Sequence, residues 1–354
     1  MPPIKVLVVD DSTLMRRLIT RFLEGDGEFR VIDVAVNGEE AIRKLKLLKP
    51  DVVTLDVEMP VMDGLATLST IMRQSPTPVV MLSAHTYEGA RETMKALSLG
   101  AVDFVSKPTK PGEMEAMVAD LKYKLRAAAQ ASLRMVAPRP APPPVRTVSM
   151  ATKPVASFKP SAGKVELLVI GSSTGGPAAL QQLVPALPAT FPAGIVIVQH
   201  IPVGFSGPMS EHLDRKSKLK VKHASQGDQV KPGLVLVAPA GHDLTFRGKP
   251  GSLSVHLDQG KGPVPPGGFR PSVDVVMISA AETCGDRCMG VLLTGMGRDG
   301  AKGMADIKKR RGHTIAEAES TCVVYGMPRA AVEMGAAEKV LPLHEIAQEI
   351  VKMI

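Results

Sequence analysis

Two aspartates, Asp10 and Asp11, directly follow the apolar run Ile4–Val9, and Asp56 directly follows Val52–Leu55. If both runs are parallel strands of one sheet, three carboxylates meet at its carboxyl edge, where α/β sheets place their chemistry. Such like charges repel unless a cation intervenes. A set of oxygen ligands suits Mg²⁺, which keeps several waters and tolerates a phosphoryl oxygen. Ser83 follows a fourth strand-like run, and Lys107, ahead of Pro108, follows a fifth. A hydroxyl and an ammonium beside metal-bound carboxylates form a set able to neutralise a phosphoryl group while Asp56 attacks phosphorus. Taken singly, each aspartate reads as a turn or helix cap. Five such residues at the ends of four strands point instead to one site.

A second constellation lies further along. Ser173 sits in GSSTGGP, a G-x-S-x-G pattern after an apolar run ending at Ile170. Its glycines permit a sharp strand-to-helix turn that leaves the hydroxyl exposed. Pro177 suits the first helical turn, whose free N–H groups would stand beside an oxyanion. The same residues also read as a phosphate-cradling loop or a tight turn. His200 ends VIVQH and reaches the same sheet edge. Asp299, in LLTGMGRDGAKG, again lies between a strand and a helix. A serine hydroxyl needs a base to remove its proton, and a carboxylate can hold the imidazole tautomer. The chain order Ser, His, Asp matches no common hydrolase order, but triads are defined by geometry.

Residues 295–300, GMGRDG, also satisfy G-x-G-x-x-G, and Glu317 stands where a dinucleotide fold places its ribose ligand. Asp299 would then aim a negative charge at the pyrophosphate, against the preference of a helix N-terminus. Too little chain follows for a second mononucleotide half. A nucleotide-dependent oxidoreductase is thus the weaker alternative, alongside a binding protein regulated through its first domain, with an inactive hydrolase domain.

The elements that would position these residues are legible as period and composition. The strand-like runs of the first domain are Ile4–Val9, Val31–Ala35, Val52–Leu55, Pro78–Leu82 and Ala101–Val105, separated by helical patterns such as Leu14, Leu18 and Phe22. Five βα repeats predict a parallel, flavodoxin-like sheet over residues 1–125. Residues 126–164 hold seven prolines and many small residues, the composition of an extended linker. Residues 165–354 form a second, doubly wound, mainly parallel α/β domain. Its strands are expected at Glu166–Ile170, Ile195–Val198, Met289–Leu293 and His313–Ala316. A β-hairpin insertion is expected within Gly233–His256, and a helix capped by Ser272 to about Ala281.

The charge of +8 belongs to the linker region: residues 121–165 hold nine Lys or Arg and no acid, leaving 34 basic against 35 acidic residues elsewhere. With no Trp and three Tyr there is no stacking platform, so nucleic-acid binding is not expected. No apolar run reaches the roughly 18 residues of a membrane span, and the first residues lack a signal peptide, which predicts a cytoplasmic protein without membrane insertion. Cys284, Cys288 and Cys322 read as reduced thiols, the 19 methionines as core filler, and the remaining histidines as lacking ligand spacing.

The segments VVDDS, LDVEMPVMDG, MLSA and FVSKP resemble the response-regulator receiver domain. That resemblance implies phosphorylation at Asp56, and Mg²⁺ held by Asp10, Asp11, Asp56 and the Glu58 carbonyl. It implies Ser83 and Phe104 as the switch pair and Lys107 as the phosphoryl contact. VIGSSTGGP, VQHIPVGF, RPSVD, GVLLTGMGRDGAKGM, GHTIAEAES and GMPRAA resemble the CheB family of chemotaxis protein-glutamate methylesterases. This implies Ser173 as nucleophile, His200 as base, Asp299 as its orienting carboxylate, and the Thr174 and Met296 N–H groups at the oxyanion. The commonest family form has Ala where Ser172 stands, and often His where Phe269 stands. The expected activity is demethylation of glutamyl methyl esters, and deamidation of glutamines, on methyl-accepting chemotaxis receptors. A CheA-type histidine kinase is the expected phosphodonor, ester hydrolysis needs no cofactor, and the protein is expected to be a monomer. The unphosphorylated receiver is expected to obstruct the Ser173 cleft.

Overall fold

The computed structural model describes residues 2–25, 27–130, 165–258 and 269–354. In the first domain β1 (Ile4–Val9), β2 (Phe29–Ala35), β3 (Val52–Asp56), β4 (Val79–Ser83) and β5 (Asp103–Ser106) form one parallel sheet in the order β2-β1-β3-β4-β5. Val6, Val8, Val53, Leu55, Val80 and Leu82 are fully buried, as expected of strands covered on both faces. The helices are α1 (Thr13–Glu24), α2 (Gly38–Leu48), α3 (Gly64–Gln74), α4 (Tyr87–Ser98) and α5 (Met114–Gln130). Side chains of Ser12, Asn37, Asp63 and Thr86 accept an N–H in the first turn of α1 to α4. Each such cap is worth about 1 kcal/mol. They fix where each strand's carboxyl-end loop stops and its helix begins.

Helix α5 continues to Gln130, past the expected end of the domain, because Ala127 and Ala128 are strong helix formers and are buried, Ala128 against the core of the sheet. The rest of the expected linker, residues 131–164, lies outside the described residues.

The second domain carries a seven-stranded parallel sheet, β14-β13-β12-β6-β7-β9-β8. Its strands are β6 (Leu167–Ser172), β7 (Gly194–Gln199), β8 (Lys220–His223), β9 (Leu234–Val237), β12 (Cys288–Leu292), β13 (His313–Glu317) and β14 (Lys339–Leu341). The antiparallel hairpin is β10 (Asp243–Lys249) with β11 (Ser252–Asp258), turning at Gly251, where φ is +86°. The hairpin is therefore shorter than expected. Leu234–Val237, assigned to it from sequence, is instead a buried strand of the main sheet, paired in parallel with β7 and β8. The short strands β8 and β14 carry too few apolar residues to stand out by period. The helices are α6 (Gly176–Ala186), α7 (Ser206–Lys216), α8 (Val273–Cys284), α9 (Ala301–Lys309), α10 (Met327–Glu333) and α11 (Leu343–Met353). Ser272 caps α8 as expected, accepting from Val275 N–H.

The domains meet through α4, which packs on α6 and α7. No helix among the described residues is long and apolar enough to cross a membrane.

Candidate active site

Strands β12, β6 and β7 are adjacent and parallel, so their carboxyl ends stand side by side. This topology delivers Asp299, Ser173 and His200, from distant stretches of sequence, to one edge. Ser173 follows β6 directly. Gly175 starts α6 with φ +77°, where a Cβ would fall 2.6 Å from Val323, so the sharp turn requires glycine. The Ser173 N–H donates to the Thr294 carbonyl at 3.0 Å, and Thr294 Oγ1 donates to the Thr174 carbonyl at 3.0 Å. The loop after β12 thereby clamps the turn that presents Ser173.

His200 Nε2 lies 2.8 Å from Asp299 Oδ2. The carboxylate can only accept, so Nε2 carries the proton and Nδ1 holds the lone pair. Nδ1 is buried and has no hydrogen-bond partner among the described residues. Ser173 and His200 line one cavity, but the bond between Ser173 Oγ and Nδ1 is not formed. Such contacts commonly tighten only when substrate binds. The imidazole face stacks on Phe269, with ring centres 4.1 Å apart at 12°.

Asp299 is tied down from a second direction. Its Oδ1 accepts from Ser272 Oγ and Asp274 N–H, each at 2.9 Å, and Oδ2 accepts from Val273 N–H at 2.7 Å. The N-terminus of α8 thus grips the carboxylate. Burial opposes its charge, but His200 and the α8 amides outweigh it and hold the carboxyl below its ordinary range. Asp299 is therefore charged at neutral pH and available to an imidazolium.

Thr174 and Met296 line the same cavity as Ser173. The loop carrying Met296 passes close by: a Cβ on Gly295 would sit 2.8 Å from Ser173 Cβ. Glu317 has a different task from the one its spacing suggested. It is fully buried, accepting from Thr294 N–H at 2.8 Å and from Thr321 Oγ1 at 2.9 Å. The G-x-G-x-x-G alternative thereby loses its ribose ligand.

The cavity measures about 620 Å³ and is walled on one side by the first domain, through Asp103, Phe104, Asp120, Tyr123 and Lys124. Phe104 packs against Phe205 across the junction, the ring centres 4.6 Å apart and the planes tilted by 30°, beneath the Lys124 ammonium at 5.3 Å. Burial pushes the Tyr123 phenol up to about 12, and its buried hydroxyl has no hydrogen-bond partner among the described residues. Beside this wall, Ser98 Oγ is in contact with Gln181, with His212 Nε2 at 3.0 Å and with Lys216 Nζ at 2.9 Å. Tyr87 donates to Glu211 at 2.6 Å.

The acidic cluster lies at the carboxyl edge of the first sheet. Ligand oxygens of Asp10, Asp11 and Asp56 all fall within 4.8 Å of one another. Lys107 Nζ reaches Asp56 Oδ2 at 2.7 Å and Asp10 Oδ2 at 2.9 Å. Burial raises the Asp56 carboxyl to about 6 despite the neighbouring Lys107, with Asp10 and Asp11 adding repulsion. Close oxygen donors carrying uncompensated charge fit a hard divalent cation such as Mg²⁺. Ser83 is buried, 2.7 Å from Thr93 Oγ1, and its carbonyl accepts the Lys107 N–H at 2.8 Å. Glu58 lies in the turn after Asp56. Arg16, which sequence reasoning passed over, donates to the Asp10 and Asp11 carbonyls at 2.7 and 2.9 Å. Gln199 and Thr294 were also missed, since nothing in a single polar residue at a strand end reveals its partners.

Residues 6–119 match the response regulator receiver domain and residues 168–350 match the CheB methylesterase family. A protein-glutamate methylesterase/protein-glutamine glutaminase of Symbiobacterium thermophilum is 47% identical, covering 99% of this chain and 97% of that protein. One of the same name from Archaeoglobus fulgidus is 44% identical over 99% of this chain and 98% of its own. The crystal structure of the Thermotoga maritima CheB methylesterase catalytic domain is 42% identical, with a TM-score of 0.51, covering 54% of this chain and 99% of that one. The chain belongs to the CheB family of protein-glutamate methylesterases/glutaminases, with a response-regulator receiver domain ahead of its methylesterase domain.

Proposed function

We propose that Ser173, His200 and Asp299 carry the family's ester and amide hydrolysis, acting on glutamyl methyl esters and glutamines of methyl-accepting chemotaxis receptors. The observation that carries this reading is the His200 Nε2–Asp299 contact of 2.8 Å, which leaves Nδ1 buried and without a partner among the described residues on a side chain lining the same cavity as Ser173. Ser173 Oγ attacks the ester carbonyl carbon and gives its proton to His200 Nδ1. The Thr174 and Met296 N–H groups receive the oxyanion. Collapse expels the methoxy group, which takes the proton from His200 and leaves as methanol. From a glutamine the leaving group is ammonia. Water then attacks the acyl-serine, passing its proton through Nδ1 back to Ser173 Oγ as the glutamate product forms. Asp299 holds the tautomer and balances the imidazolium.

The receiver sets when this happens. Asp56 accepts a phosphoryl group from a CheA-type histidine kinase, with Lys107 and Ser83 contacting its oxygens. Asp10, Asp11, Asp56 and the Glu58 carbonyl would hold Mg²⁺, which would supply charge neutralisation for the phosphoryl group. Before phosphorylation, the wall built from Phe104, Tyr123 and Lys124 restricts access to Ser173. Movement of the Ser83 and Phe104 pair would loosen the Phe104–Phe205 contact and open the cleft.

The test is methanol release from methylated receptor membranes, with and without a small phosphodonor. Release should rise with the phosphodonor and vanish in Ser173→Ala. Deleting residues 1–160 should give a fragment more active than the unphosphorylated whole chain. A fragment no more active would reject obstruction, and an active Ser173→Ala would reject the nucleophile.

A further inference from the structure

Gln199 ends β7 and is buried between the nucleophile and the base. Its Nε2 donates to the Ser173 carbonyl at 2.9 Å and to the His200 carbonyl at 2.8 Å. Its Oε1 accepts from Ser172 Oγ at 2.6 Å. The amide has one workable orientation, since a flip would set its oxygen against two carbonyl oxygens. Ser172 and Gln199 are direct partners in the β6–β7 register. The ladder's last backbone rung is the bond from His200 N–H to the Ser172 carbonyl at 3.0 Å. Beyond that rung the two chains diverge into their loops. The Gln199 side chain adds one more tie there, between the two residues whose separation the chemistry depends on. Gly176 makes the space: a Cβ would lie 2.1 Å from Gln199 Oε1 and 2.7 Å from Ser172 Cβ.

We propose that Gln199 is a positioning residue for the hydrolysis, its two N–H donors fixing the Ser173 loop relative to the His200 loop, and that Ser172 locks the amide in that orientation. A planar amide directs its two N–H bonds about 120° apart, so both carbonyls are held at one spacing. The loops could otherwise satisfy those carbonyls with water and drift, which a buried amide with every donor used does not allow. The proposal rests on Ser173 and His200 acting as nucleophile and base.

The experiment uses the full-length, phosphorylated protein. It compares wild type, Gln199→Met, Gln199→Asn and Ser172→Ala by kcat and KM for methanol release, and by the rate at which a sulfonyl fluoride acylates Ser173. Methionine keeps the length without donors. Asparagine keeps the amide but is one methylene short of both carbonyls. Gln199→Met should lower kcat and the sulfonylation rate together by roughly 10²-fold, the effect of a misplacement near 1 Å, with KM little changed. Gln199→Asn should be intermediate, and Ser172→Ala should lose several-fold. A residue that only stabilised the fold would lower Tm and leave the sulfonylation rate of the folded protein unchanged. Gln199→Met with both rates within about threefold of wild type overturns the proposal. If that variant does not fold, Gln199→Asn is judged by the same measure, and if neither folds, a Ser172→Ala protein at wild-type rates overturns it. Ser173→Ala separates the two ideas. If it still releases methanol, the assignment of nucleophile fails; if it is inactive while the Gln199 variants match wild type, only the positioning role fails.

Discussion

His200 meets Asp299 through Nε2, at 2.8 Å, so that Nδ1 is the ring nitrogen left without a hydrogen-bond partner among the described residues. Replacing the carboxylate by an amide would reverse this. In Asp299→Asn the amide can donate to Nε2, forcing the imidazole proton onto Nδ1 and removing the lone pair that the proposed mechanism uses. The expected loss in kcat is about 10⁴-fold, with much smaller change in KM. Because Asp299 also accepts from the N-terminus of α8, Tm should fall as well. Steady-state methanol release and thermal unfolding measure the two effects separately.

Ser98 marks where the receiver holds the catalytic domain. It is exposed on α4, within 3.0 Å of His212 and 2.9 Å of Lys216. Ser98→Arg sets a guanidinium against that lysine while leaving the receiver core untouched. Methanol release by the unphosphorylated protein should rise several-fold, and the increment added by phosphorylation should shrink. Unchanged basal release would show that this contact does not restrain the cleft.

The junction should also respond to pH. Burial holds the His212 imidazole down at about 4, with Lys216, Arg215 and Lys95 adding repulsion. A free imidazole titrates near 6.5. Between these values the undocked or unfolded state binds the extra proton, so stability rises with pH across that window. The His212 contribution is complete above about 6.5 and is lost as pH falls toward 4. His212→Gln should flatten this part of a Tm-against-pH curve. An identical slope in the variant would assign the pH dependence elsewhere.

Cation removal should act on regulation and spare the chemistry. The Asp10, Asp11 and Asp56 oxygens belong to the receiver, whereas nothing in the Ser173 mechanism calls for a metal. Chelation should therefore abolish the rise in methanol release caused by a small phosphodonor and leave basal release in place. Asp56→Asn should reproduce that behaviour with Mg²⁺ present. Loss of basal release on chelation would contradict this division.

The sequence determined the local half of this protein. Apolar runs such as Val6–Val9 and Ile195–Val198 announce buried parallel strands because they must be covered on both faces. Side chains such as Asp56, Ser173 and His200 fall at strand ends, where such sheets do chemistry. The family motifs then assigned roles to single residues. Tertiary structure decided what depends on which strands are neighbours and which nitrogen faces which oxygen. Only the β12-β6-β7 order places Asp299 beside His200 and leaves Nδ1 unpaired among the described residues. Glu317 satisfied the spacing of a ribose ligand, yet the fold buries it beneath Thr294, because spacing along a chain carries no information about burial. Leu234–Val237 reads equally well as a hairpin strand or a core strand, and its parallel partners β7 and β8 settle the matter. Gln199 carried no signal at all: an amide at a strand end acquires its function only when the two carbonyls it bridges are brought within reach.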